Sequence, residues 1–234
     1  MDFQKHNLVA FGCSFTYGHG LKDCVIDQIN PGPNPSKYAW PTYLSLRLKC
    51  NDFENKGIPG ASNKIIQKEV LKHDFQENSF VVILWSTFHR KTIFQDKKHN
   101  IHMLPHFLDP NKMPDGWRKT QKQDFLDLVQ NWYGNFHFDY DAYYDFCTTL
   151  SFVHNYLKDK KIKSYHLFEA EELNRYKSLF NLMKPKDLNA KTVRWKRDFH
   201  IDDAYDTAKG NPHPGHESHQ HFARFIEQWI KKCD

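Results

Sequence analysis

Ser14 stands two residues after Gly12, at the end of the apolar run Leu8-Val9-Ala10-Phe11, and glycines recur at 18 and 20. A buried strand that breaks at Gly12 would lift the Ser14 hydroxyl off the end of its sheet, where open α/β sheets carry their reactive groups. A serine becomes a nucleophile only when a base takes its proton and donors receive the oxyanion that forms. Two distant segments could supply these. Asn55-Lys56-Gly57-Ile58-Pro59-Gly60-Ala61-Ser62 is a loop in which Gly60 permits close backbone approach. Pro212-His213-Pro214-Gly215-His216 sets an imidazole just before a C-terminal helix. Taken singly, each has a plainer role: Ser14 as a turn residue, His213 as a helix cap, and Cys13 as a small buried thiol or an alternative nucleophile.

The elements that must position these groups alternate. Strands are expected at 8–11, 53–55, 80–85 and 162–168, the third being continuous, β-branched and bounded by polar residues. Helical spacing marks 38–48, 64–75, 139–158, 169–182 and 216–232, with Pro41 tolerable in a first turn. Residues 27–37 and 183–212 are expected to be loops, and 95–122, with three prolines, an irregular insertion at the sheet's mouth. Strands alternating with helices imply a three-layer α/β/α sandwich on a mainly parallel sheet, formed by residues 1–234 as one domain.

Composition narrows the classes. The 234 residues carry 33 Lys and Arg against 28 Asp and Glu, a net charge of +5 too mild to point to nucleic acid. Aromatics at 15% favour a folded globule despite a mean hydropathy of −0.77. Five cysteines, odd in number and without a CxxC pair, argue against a disulfide framework and fit a reduced, cytoplasmic setting. Neither a signal peptide nor a membrane span of ~20 apolar residues is expected. His213, His216, His219 and His221 crowd together, yet no cysteine accompanies them and they are not read as a metal site. No metal and no cofactor are expected.

Together the three segments resemble the SGNH (GDSL-type) hydrolase superfamily in its divergent phage and bacterial members. A Gly-Asp-Ser-like block there holds the nucleophile, an Asn-x-Gly-x-x-Gly block gives an oxyanion donor, and a late Asp-x-x-His-Pro block gives acid and base. The resemblance implies a serine esterase or deacylase with Ser14 as nucleophile, His213 as base, and the Ser14 and Gly60 amides as oxyanion donors. It extends the candidate substrate-binding set to Asn63. The chain departs from the pattern at Cys13, where the family has Asp, and after the central strand, where Gly-x-Asn-Asp is replaced by Ser86-Thr87-Phe88-His89-Arg90. Ser86 or Thr87 could then donate through a hydroxyl, and Arg90 through its guanidinium. Gly210 occupies the acid's place, so Asn211 could orient His213, or Asp203 or Asp206 could reach in. The implied substrate is a small-molecule or carbohydrate ester, such as an O-acetyl group. The rival reading is a catalytically impaired domain acting as a binding or structural module, in a virion or a polysaccharide pathway.

Overall fold

The structure, a computed structural model, describes residues 1–25, 31–94, 100–109, 123–193, 206–208 and 213–234. Its centre is a sheet of five parallel strands: β1 (Asn7–Gly12), β2 (Asp52–Gly57), β3 (Ser79–Leu84), β6 (Lys163–Glu169) and β7 (Ala190–Val193). Their order is β2-β1-β3-β6-β7. The alternation of each strand's residues between faces builds two cores. Val9 and Phe11 of β1 join Val81 and Ile83 of β3 on one face, and Leu8 and Ala10 join Phe80, Val82 and Leu84 on the other. Because both faces are covered, these strands read as continuous apolar runs.

The first core is covered by α3 (Asn63–Lys72) and α5 (Asp139–Asp159), through Ile65, Ile66, Val70, Phe146, Leu150 and Val153. The second is covered by α2 (Trp40–Leu48) and α8 (His216–Cys233), through Trp40, Leu44, Phe222 and Ile226. The three-layer arrangement expected from the sequence is therefore present.

Four local readings need correction. The region 183–212, read as loop, contains β7, a short strand with only Val193 buried. The expected helix over 169–182 is two helices, α6 (Ala170–Arg175) and α7 (Lys177–Met183). The 95–122 insertion is not irregular throughout: β5 (Asn100–Met103) pairs antiparallel with β4 (Lys91–Phe94), while 95–99 and 110–122 lie outside the described residues. After it come α4 (Gln123–Asn131) and a π-helical turn at Trp132–Phe136, unassigned from the sequence. No helix among the described residues is long and apolar enough to cross a membrane.

At the carboxyl edge, β1 and β2 end level, with Gly12 beside Gly57, and Ile58 N–H extends the ladder to Gly12 O at 2.9 Å. The short helix α1 (Ser14–Tyr17) packs directly over this pair. A methyl group on Gly57 would stand 2.4 Å from the Tyr17 amide nitrogen, and one on Gly12 would stand 2.8 Å from the Leu84 carbonyl oxygen. Gly57→Ala is therefore expected to cost ~1–3 kcal/mol, the usual range for overpacking, read as a lower urea midpoint. Gly134→Ala, whose methyl meets nothing within 4 Å, should leave the midpoint unchanged or raise it. Equal midpoints for the two variants would refute the close approach.

Candidate active site

Ser14 opens α1, with Cys13 as its extended N-cap, and is 4% exposed. The Thr16 and Tyr17 amides both donate to Cys13 O at 3.0 Å, and Gly18, at φ +81°, closes the turn by donating to Ser14 O at 2.9 Å. Only a residue without Cβ takes that left-handed conformation freely. Asn55 ties this turn to β2, its amide donating to Thr16 O at 2.7 Å while its oxygen accepts from Gly57 N–H at 3.0 Å.

The late histidine reaches the same place. His213 Nε2 lies 2.9 Å from Ser14 Oγ across 199 residues of sequence. Its backbone is pinned by a short antiparallel bridge, in which Ala208 N–H donates to His213 O at 2.9 Å and Gly215 N–H to Asp206 O at 3.0 Å. The Phe15 ring meets the imidazole edge-on at 5.4 Å, and the His19 ring tilts against it at 4.7 Å. Burial, the His19 imidazole and the Arg90 guanidinium push the His213 pKa down to about 3. The ring is neutral at physiological pH, and in the tautomer protonated on Nδ1 its Nε2 accepts from Ser14 Oγ.

Gly60 adopts φ +73°, and a methyl group there would meet nothing within 4 Å. Neither the Ser14 nor the Gly60 amide donates to an acceptor among the described residues. Arg90 follows β3 and donates from Nη1 to Ala61 O at 3.3 Å, beside Gly60.

Other sequence-predicted residues are placed differently. Asn63 was expected to contact substrate, but its amide brackets the backbone of Ser86, accepting from Ser86 N–H at 2.8 Å and donating to Ser86 O at 3.0 Å. It positions the exit of β3. The Asp206 carboxylate accepts from the amides of Glu217 at 3.1 Å and Ser218 at 2.9 Å, so it caps α8 rather than meeting the imidazole. Gly215 makes room for it, since a methyl group there would fall 2.3 Å from the carboxyl carbon. Thr87 Oγ1 lies 3.4 Å from the His89 amide as its acceptor, and Ser86 Oγ is buried without a partner among the described residues. Asn211 and Asp203 lie outside the described residues. The histidine run does not converge: His219 accepts from Trp40 N–H at 3.1 Å, and His216 pairs with the Tyr43 hydroxyl. Two contributors were not singled out as site residues from the sequence. Asn55 was legible only as part of its Asn-x-Gly motif, and His19 lay five residues after Ser14 with no pattern marking it.

Two clefts flank the Ser14–His213 pair, though neither residue lines them. One, of about 330 Å³, is bounded by Phe88, Arg90, Trp132, Phe136 and His137; the other, of about 410 Å³, by Leu21, Tyr38, Asp206 and His216. Arg90 joins the first to the pair, being close enough to His213 to oppose its protonation.

The fold is similar to that of known structures. A G-D-S-L-family protein from Desulfitobacterium hafniense DCB-2 superposes with a TM-score of 0.51 at 11% identity, covering 96% of this chain and 99% of that one. An acetyl xylan esterase from Butyrivibrio proteoclasticus gives 0.54 at 11%, covering 97% of this chain and 63% of that one. A family two carbohydrate esterase from Clostridium thermocellum gives 0.54 at 12%, covering 97% and 64%. The chain has the SGNH-hydrolase fold. It spans about two thirds of the two carbohydrate esterases. No protein-family model and no curated protein matches the sequence. The sequence is thus far from those of known proteins that share the fold.

Three buried imidazoles couple its stability to pH. Burial lowers the pKa of His166, of His213 and of His219 to about 3 each, from an ordinary 6.5. Between those values the unfolded chain binds protons that the folded chain refuses. Their contribution is therefore complete above ~6.5 and is lost as pH falls toward ~3. Urea midpoints should decline steadily over that interval; midpoints unchanged down to pH 4 would contradict neutral burial. The two roles considered for Asp206 also separate: as a cap, Asp206→Ala should cost ~0.5–2 kcal/mol of stability. A loss of hydrolysis near ~10⁴-fold, as in a serine protease lacking its triad Asp, would instead make it the acid.

Proposed function

We propose that this chain is a serine esterase or deacylase using Ser14 as nucleophile and His213 as general base. The carrying observation is the 2.9 Å contact of His213 Nε2 with Ser14 Oγ, joining two ends of the sequence at the sheet's rim. Ser14 Oγ attacks the acyl carbonyl as its proton passes to His213 Nε2. The negative oxygen is received by the amides of Ser14 and Gly60, with Arg90 adding positive charge from the Ala61 side. Such donors, set in place before reaction, commonly supply the largest share of rate enhancement. His213 then protonates the departing alcohol oxygen, and a water deprotonated by the same nitrogen hydrolyses the acyl-serine.

For substrate we favour an O-acyl group, such as acetyl, on a carbohydrate. The cleft beyond Arg90 is walled by Phe88, Trp132, Phe136, Phe138 and Phe152, broken by His89, His137 and Asp141. Flat rings interleaved with hydrogen-bonding groups suit a sugar face better than a long acyl chain. The structural similarity to an acetyl xylan esterase points the same way.

A fluorophosphonate probe should label the protein once, at Ser14, and labelling and nitrophenyl acetate hydrolysis should both vanish in Ser14→Ala. His213→Ala should lower kcat at least ~10³-fold. The rate should not fall through the ordinary histidine range near pH 6.5, because His213 titrates far below it. Hydrolysis equal to wild type in Ser14→Ala would sink the reading and favour the binding-module alternative.

A further inference from the structure

Three side chains, two of them lining the first cleft and none taking part in the chemical step above, converge on one point. His89 follows β3, His137 ends the π-helical turn, and Asp139 opens α5. His89 Nδ1 and His137 Nε2 lie 2.9 Å apart. Asp139 Oδ1 is 3.5 Å from the first nitrogen and 3.6 Å from the second. A proton shared between the two nitrogens would satisfy that pair alone. The carboxylate oxygen is beyond good hydrogen-bond distance of either ring. The circle through the three atoms has a radius of about 1.9 Å, so an ion just off its plane stands at the ~2.0–2.1 Å typical of zinc bonded to imidazole nitrogen or carboxylate oxygen.

The geometry points to a divalent transition-metal site, of the zinc class, formed by His89, His137 and Asp139. Two imidazoles and one carboxylate are a donor set suited to such ions rather than to calcium or magnesium. The ligands are held by their surroundings. Phe88 packs against the His89 ring at 4.1 Å, and the Tyr133 hydroxyl donates to His89 O at 2.8 Å. Arg175 Nη1 donates to Asp139 Oδ2 at 2.8 Å, which turns Oδ1 toward the imidazoles. Outer contacts of this kind orient metal ligands and raise affinity. Arg175 also places a positive charge near the ion, but its side chain is 64% exposed and the repulsion is screened by solvent. His89 and His137 both line the cleft, so the coordination positions left by three protein ligands would open into it.

The site shares no residue with the Ser14–His213 pair and stands or falls independently of the esterase reading. Zinc titrated into the full chain should bind at one ion per chain by calorimetry and raise the melting temperature, and EDTA should reverse the shift. His137→Gln and Asp139→Asn should each weaken binding by more than ~100-fold, since even outer-contact losses cost ~10–100-fold. His216→Gln, in the rival histidine run, should leave it unchanged. Should either ligand variant fail to fold, cobalt added to wild type must shift the ring proton resonances of His89 and His137. Absence of zinc binding, binding that survives His137→Gln, binding lost in His216→Gln, or cobalt shifts confined to other histidines would each overturn the proposal.

Discussion

The rim of this molecule depends on a steric constraint: three backbones meet where β1 and β2 end, closer than any side chain permits. Gly12 and Gly57 sit side by side, and α1 lies over them at distances that a single methyl group would violate. The polar groups freed by so tight a turn still need partners. Asn55 supplies them, binding Thr16 O with one end of its amide and Gly57 N–H with the other. Ser14 therefore takes its position from the packing of its neighbours, and its own hydroxyl is left to meet His213.

The sheet was legible because its central strands are buried on both faces and so carry unbroken apolar runs. Nothing else in the sequence resembles Phe80 to Leu84. The same rule explains the misses. β7 lies at the sheet's edge, and Ala190-Lys191-Thr192-Val193 buries only its last residue, so neither continuity nor alternation distinguished it from loop. The β4–β5 hairpin packs mainly on a small satellite cluster around Met103 and Val129, with Phe94 reaching the first core, and its polar residues reflect that.

The site was legible in its backbone motifs and less so in its short polar side chains. Their motifs pointed to Gly60, which takes a positive φ, and to His213, which lies beside Ser14. Asn63 and Asp206 fell in the right neighbourhood with the wrong partner. An Asn or Asp near a helix start can bond the adjacent backbone as readily as it can face a ligand. Which occurs depends on the groups across the gap: the bare Ser86 backbone for Asn63, and the first amides of α8 for Asp206. Gly215 was the available clue, because its missing Cβ is the space the carboxylate fills.

In the proposed reaction, Arg90 acts on two charges of opposite sign. It disfavours the imidazolium that forms when His213 takes the serine proton, and it favours the oxyanion formed in the same step. Since the two charges appear together, proximity decides the net effect, the nearer one dominating at a given dielectric. Arg90 Nη1 is anchored on Ala61 O, next to Gly60 in sequence, while Phe15 and His19 pack against the His213 ring. The guanidinium is thus tethered on the side where the oxyanion would sit. There it would offer the proposed oxyanion a full positive charge. Burial is the main cause of the lowered pKa of His213, and Arg90 adds to it while favouring the oxyanion.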